Sequence, residues 1–476
     1  MINRRVFLII VMLASICAVP PGYAQKTSSP NSSINIPFET YKLPNGLTVI
    51  LSVDRATPTV AVDVWYHVGS KNEAPGRTGF AHLFEHVMFT GSGNVPYGLH
   101  DKLTEGVGGA NNGSTSNDRT NYYETIPSNY LESALWIESD RMGFLLDTLD
   151  IAKLNAQRDV VKNERRQGVD NQPYGRASEI LAAAVYPKTH PYSWPVIGSM
   201  EDLSAASETD VKDFFRLYYA PNNATLAVVG DFDPVQARTW ITKYFSDLPQ
   251  GKPLQRPSVP LGRLDASKRL VYEDRVQVPR LYISWPTVGI KHEDSYALSV
   301  LSAILSASRT ARLTKALVYD SQIAASVVAF PNAAEDVGEL RIIVTPRPEH
   351  SLTEIEAAID QILAKFMTEG PTAEEVKKAT AGAELGFVRG LESNLGKAEQ
   401  LLSGAVFRSN PAYFRTDFSK TLAVTPADVK RVANLYLPRP RVVLSIVPKG
   451  KKVQAAKASE SEAVSTVLRG IRGGKS

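Results

Sequence analysis

Between Thr59 and His67 apolar residues alternate with others, with Val60, Val62, Val64 and Tyr66 falling on one side. That period of two predicts a strand with one buried face. Just upstream, short runs at 39–43 and 47–51 are joined through Pro44-Asn45-Gly46. Asn-Gly tolerates the positive φ of a tight turn, so the pair predicts a hairpin. After a loop rich in Gly, Asn and Pro, the period becomes helical over 80–89 and again over 129–146, where Leu131, Leu135, Ile137, Met142 and Leu145 recur. Another helix is predicted at 151–167, with Leu154, Val160 and Val161 inward and Arg158, Lys162, Arg165 and Arg166 outward. Helices at 178–186 and 209–219 precede Ala224-Thr-Leu-Ala-Val-Val-Gly230, an unbroken apolar run of the kind buried on both faces of a sheet.

Pro253, Pro257 and Pro260 then gather in a semi-rigid linker at 251–263, which divides a region at 37–250 from one at 264–450. The second region repeats the first. Asp210, Lys212 and Tyr218 recur as Asp428, Lys430 and Tyr436, a constant offset of 218 residues, and each set leads into an apolar strand. An internal duplication follows. The expected fold is α+β: two homologous α/β sandwich domains, each with helices packed on a largely antiparallel sheet.

Composition narrows the setting. With 476 residues and a formal charge of +4, the chain is long enough for more than one core and carries no footprint for nucleic acid. Arg4 and Arg5 precede an apolar run over 6–18 and small residues before Gln25, the pattern of a cleaved signal peptide at 1–24. The run is shorter than a membrane span. Segment 25–36 reads as a mobile leader and 451–476 as a disordered basic tail. Cys17 is the only cysteine, so the mature chain has neither disulfide nor thiolate metal cage. A secreted or periplasmic location is expected.

Chemistry concentrates in His82-Leu-Phe-Glu-His86. Histidines four apart share one helix face, and Glu85 stands beside the second. Two imidazoles make a clip for a divalent metal, whereas catalytic zinc needs three protein ligands and an open position for water. His67, His100, His190, His292 and His350 show no comparable spacing, so the third ligand must come from another element. The segment 108–126 begins with small polar residues whose backbone is open to an added strand, suited to holding an extended peptide.

In its setting from Gly79 to Gly91, the H-x-x-E-H stretch resembles the inverted zinc motif of the pitrilysin family, to which the processing peptidases belong. The likeness covers roughly residues 37 to 450. It implies one zinc per chain, held by His82, His86 and, on a later helix, Glu164, with Glu85 as the general base. Gln157 stands where the family often has a second glutamate, so an amide would hydrogen-bond a ligating histidine from behind. Gly109, Asn112, Gly113, Ser114 and Thr115 fall in the family's substrate-pairing strand. His190, Pro191 and Tyr192, with Pro195 and Gly198, are further matches. The second half departs from the pattern. Aligning Arg312-Leu313 with the family's Arg-Leu puts Val318 and Ala325 where an arginine and a tyrosine should hold the scissile peptide. The expectation is therefore a zinc metalloendopeptidase subunit whose homologous partner lacks the zinc motif but carries that Arg/Tyr pair. The alternative is a non-catalytic assembly subunit with a retained structural metal.

Overall fold

The computed structural model describes residues 34–256 and 258–464. The expected signal peptide, most of the leader and the last twelve residues of the tail lie outside them. The first sheet holds β1 (Glu39–Lys42), β2 (Thr48–Val53), β3 (Thr59–Tyr66), β4 (Ala110–Thr115), β5 (Thr120–Pro127) and β6 (Ala224–Gly230), in the order β1-β2-β6-β3-β5-β4. Gly46 at φ +91 makes the predicted turn between β1 and β2. Only the β2/β6 pair is parallel. Every residue of β6 is buried, which is why its sequence does not alternate. β4 forms one outer edge.

The second sheet repeats this plan with β7 (Lys268–Asp274), β8 (Arg280–Val288), β9 (Ala324–Ala333), β10 (Val337–Pro346), β11 (Val442–Pro448) and β12 (Glu462–Ala463), in the order β12-β7-β11-β8-β10-β9. β11 lies 218 residues after β6, and helix Pro426–Tyr436 lies 218 after helix Glu208–Tyr218, with a Ser or Thr capping box at both helix starts. The duplication read from a few residues thus extends to strand order and helix caps. β9 is the counterpart of β4 at the open edge.

Each half covers the other. Trp65, Ile50 and Val229 on the far face of the first sheet pack against Leu401, Leu402 and Phe414 from the second half. Ile180, Leu181 and Ala184 of helix Ala177–Val185, from the first half, pack on Tyr282, Leu444 and Ile446 of the second sheet. β3 is consequently buried on both faces, not one as its alternation predicted, and Asp63 on the presumed solvent side is fully enclosed. The described residues from Ile36 onward form one compact unit.

Two other expectations are corrected. Residues 451–464 of the expected disordered tail are ordered: Ala455, Ala456 and Val464 are buried, and β12 extends the second sheet beside β7. Alanines and a valine among lysines gave too weak a period to see. In helix Ile151–Arg165, Val160 faces outward while Arg158 and Arg165 are buried, because their guanidinium groups find the carbonyls of Ala206 and Gly198.

A clasp of charges also joins the halves. Lys71 lies 3.0, 2.5 and 2.9 Å from carboxylates of Asp118, Glu335 and Asp336, the last two in the turn between β9 and β10. His67 and Lys291 also meet Glu335. Burial alone would push Glu335 up, but hydrogen bonds from His67, Lys291 and Lys71 hold its carboxyl well below the ordinary range.

Candidate metal centre

Helix Phe80–Val87 buries Phe80, Ala81, Leu83, Phe84 and Val87, with Phe84 against Phe215 and Tyr219. That leaves His82, Glu85 and His86 half-buried on the opposite face, as spacing by four requires. The imidazole centroids are 4.9 Å apart. Gly79 begins this helix at φ +91 and has no side chain to cap it. Glu73 does so from the preceding loop: its buried carboxylate accepts the amides of Gly79 and Ala81, each at 2.9 Å. No sequence pattern pointed to Glu73, a single acid in a turn-rich loop.

Glu164, one residue from the end of helix Ile151–Arg165, reaches the same point. Its Oε2 is 3.2 Å from His86 Nε2 and 3.7 Å from His82 Nε2, and one ligand atom from each of the three residues lies within 4.8 Å of the others. The neighbouring Arg165, missed as an outward charge, fixes this helix. Its Nη1 donates to Gly198 O at 2.8 Å while the guanidinium pairs with Glu179. Gly198 in turn rides on the start of the histidine helix, so closely that a Cβ there would sit 2.4 Å from Gly79 Cα. The two helices that carry the candidate ligands are thereby braced through one loop.

Burial, with His86 beside it, pushes His82 down to about 4, so the ring is neutral at physiological pH, the form that binds metal. Its Nδ1 is buried without a protein partner. Gln157 is half-buried on the ligand helix and, among the described residues, hydrogen-bonds neither histidine. Burial also pushes the Glu85 carboxyl up, opposed by the Thr115 hydroxyl. Two imidazoles, one carboxylate and no thiolate form a donor set that fits zinc.

The expected substrate strand lies beside this face. A Cβ on Gly113 would be 3.1 Å from Glu85 Cγ and 3.2 Å from Tyr122, closer than ordinary van der Waals contact, so a larger residue here would press on both. Ser116 N donates to Arg119 O at the hairpin end, and by the antiparallel alternation Ser114 and Asn112 then bond to β5 while Thr115, Gly113 and Asn111 turn their backbone groups to the open edge. The Gly113 amide is taken by the Asn112 side chain at 2.8 Å. Gly109, just before β4, lies 3.0 Å from Thr104 O through its amide.

A second group of possible ligands, His100, Glu124 and Glu138, is fully buried. There the Arg141 guanidinium already meets both carboxylates, which disfavours a cation. In the second half, Val300 and Ile304, offset by 218 from the histidines, are core residues. Val318 packs on the second core, Ala325 is exposed on β9, and Arg312 is held by Glu375 at 2.7 Å. Tyr319 stands 48% exposed directly after Val318.

Comparison with known proteins gives the chain a family. Residues 48–195 match the model of "Insulinase (Peptidase family M16)", and 205–382 that of "Peptidase M16 inactive domain". The chain is 30% identical over 408 residues to a protein named zinc protease PqqE of Helicobacter pylori, covering 84% of this chain and 90% of that one. It is 25% identical over 434 residues to the mitochondrial-processing peptidase subunit beta of Blastocladiella emersonii, covering 87% and 89%. The crystal structure of a protease from Helicobacter pylori superposes with a TM-score of 0.81 at 28% identity, over 87% of this chain and 99% of that one.

Proposed function

Because the chain belongs to the M16 peptidase family, we propose that it is an exported, zinc-dependent endopeptidase subunit that hydrolyses peptides bound in extended form. The observation that carries this reading is the meeting of His82, His86 and Glu164 beside Glu85 and the open edge of β4. These three side chains would hold the zinc. When bound, zinc supplies a Lewis acid that brings water to a pKa of about 7 and polarises a peptide carbonyl.

The chain's own residues do the rest. A peptide laid antiparallel or parallel on β4 offers its carbonyls and amides to the outward backbone groups of Asn111, Gly113 and Thr115, displacing the Asn112 side chain from the Gly113 amide. Glu85, with a carboxyl made more basic by burial, takes the proton of the attacking water and passes it to the leaving amine nitrogen. Gln157 contributes no hydrogen bond in this arrangement, so His82 depends on the helix for its orientation.

A hydrogen-bond donor for the tetrahedral oxygen is missing at Val318 and Ala325, a loss worth about 10²-fold or more in rate. We assign that donor to a homologous partner subunit without a zinc motif. Export is supported by the N-terminal pattern; no helix among the described residues is long and apolar enough to cross a membrane. The same two positions favour the second reading, an assembly subunit with a structural metal.

Turnover of unstructured peptides by the zinc-loaded chain separates the readings. Glu85→Gln should abolish hydrolysis and leave zinc bound; hydrolysis indifferent to this change, or absent with every candidate partner, supports the assembly role. Full turnover by the chain alone would remove the partner requirement.

A further inference from the structure

A strand added to β4 places its side chains alternately on the two faces of the sheet. One face is that of Glu85 and the metal centre, against which Gly113 packs. On the other, Ser114 meets Arg119 and Asn121, the group at the hairpin end where a cavity of about 640 Å³ opens between the two halves.

The charges lining that cavity are unequal in one respect. Each carboxylate has its own cation: Asp118 has Lys71 at 3.0 Å, Glu179 has Arg165 at 2.5 Å, Glu335 has Lys291 at 2.5 Å and Glu339 has Arg341 at 2.9 Å. Arg119 differs. Among the described residues no carboxylate lies within 4 Å of its guanidinium; Asp63, Glu399 and Glu85 are felt only from farther away. Its Nη1 donates to Ser114 O at 3.0 Å, Ser114 Oγ at 2.5 Å and Asn121 Oδ1 at 2.6 Å, and its plane lies 4.9 Å from the Trp65 ring centroid. These contacts fix the group and use one nitrogen. Nε and Nη2, the edge that receives a carboxylate in two-point fashion, meet no protein acceptor among the described residues.

We propose that Arg119 is a specificity residue for the bound peptide, recognising an acidic side chain that the strand on β4 turns toward the cavity. Pre-positioned by Ser114, Asn121 and Trp65, the guanidinium loses little side-chain entropy on pairing. Half-burial weakens the competition from water and salt. Because only every second side chain faces the cavity, the preference has a period of two along the substrate. The inference rests on strand addition at β4.

Fluorescent unstructured peptides that differ only by Glu or Gln at successive positions, bound to zinc-loaded Glu85→Gln protein, test it without turnover. The expected result is a preference of about tenfold for Glu over Gln at alternate positions near the cavity, falling toward one in Arg119→Gln and kept in part in Arg119→Lys. The ratio in each variant is the readout, with thermal unfolding of both variants as a check on folding. Equal binding of Glu and Gln peptides leaves strand addition standing and overturns the role of Arg119, as does a preference that survives Arg119→Gln. Failure of every peptide to bind overturns strand addition itself and the inference with it.

Discussion

The carboxylate of Glu73 accepts the amide of Ala81 at 2.9 Å, one residue before the first histidine of the candidate metal centre. With Gly79 also bonded to it, this buried group fixes the first turn from which His82 projects. Glu73→Gln keeps the shape but leaves an amide NH₂ facing backbone donors. It should cost about 1–3 kcal/mol of stability by thermal unfolding of the metal-free protein. It should also weaken zinc about tenfold or more in chelator competition. Unchanged zinc affinity would show that the helix holds its first turn without this carboxylate.

Glu164 is expected to bind metal and Glu85 to use it, and the two glutamates should fail differently. Glu164→Gln should lower zinc affinity by about 10²-fold, by removing the only charged donor of the three. Stripping zinc from the native protein should abolish hydrolysis, and re-adding it should restore activity. Metal analysis after dialysis distinguishes the cases: zinc retained by Glu164→Gln at native affinity would place the third donor elsewhere.

A methyl group on Gly113 would press on Glu85 Cγ, Tyr122 and the Asn121 carbonyl, at 3.1, 3.2 and 3.3 Å. Gly113→Ala should therefore push β4 or the Glu85 side chain aside at a cost of about 1–3 kcal/mol. Hydrolysis should fall while zinc affinity holds, since neither histidine touches this point. Equal losses of both would locate the damage in the helix.

Asp63 is enclosed between the first sheet and the second half, bonded by Asn121 and Trp65. Burial raises it from 3.8 to about 7. A carboxyl with a raised folded pKa binds its proton more tightly when folded, so its contribution is fully present below the unfolded pKa and is lost as pH rises through the folded one. Relative to Asp63→Asn, which cannot ionise, the native protein should lose about 1.4 kcal/mol per pH unit between the two values and no more above them. Denaturant unfolding of both proteins across that range gives the slope; parallel curves would mean that Asp63 titrates normally.

What the sequence made legible was local in character. His82 and His86 needed only helical spacing, and β6 needed only an apolar run long enough for a strand. Glu164 became visible through family resemblance because no local period links it to the histidines. The double burial of β3, the inward arginines Arg158 and Arg165 and the ordered residues 451–464 were not legible. Each depends on a partner distant in the chain: helix Asn394–Arg408, the carbonyls of Ala206 and Gly198, or β7. Asp63 reads as the polar member of an alternating strand until that distant helix closes over it.

The exchange of helices between the halves bears on how the protein can be cut. The linker at 251–263 has no strand or helix among its described residues and is mostly exposed, the kind of segment proteases reach first. A nick there would sever the chain without separating it, because each fragment still has a helix laid across the other's sheet and the Lys71 cluster still bridges them. The nicked protein should run as one particle in a sizing column and as two bands once denatured, so a cut at the linker would leave the topology of the core intact.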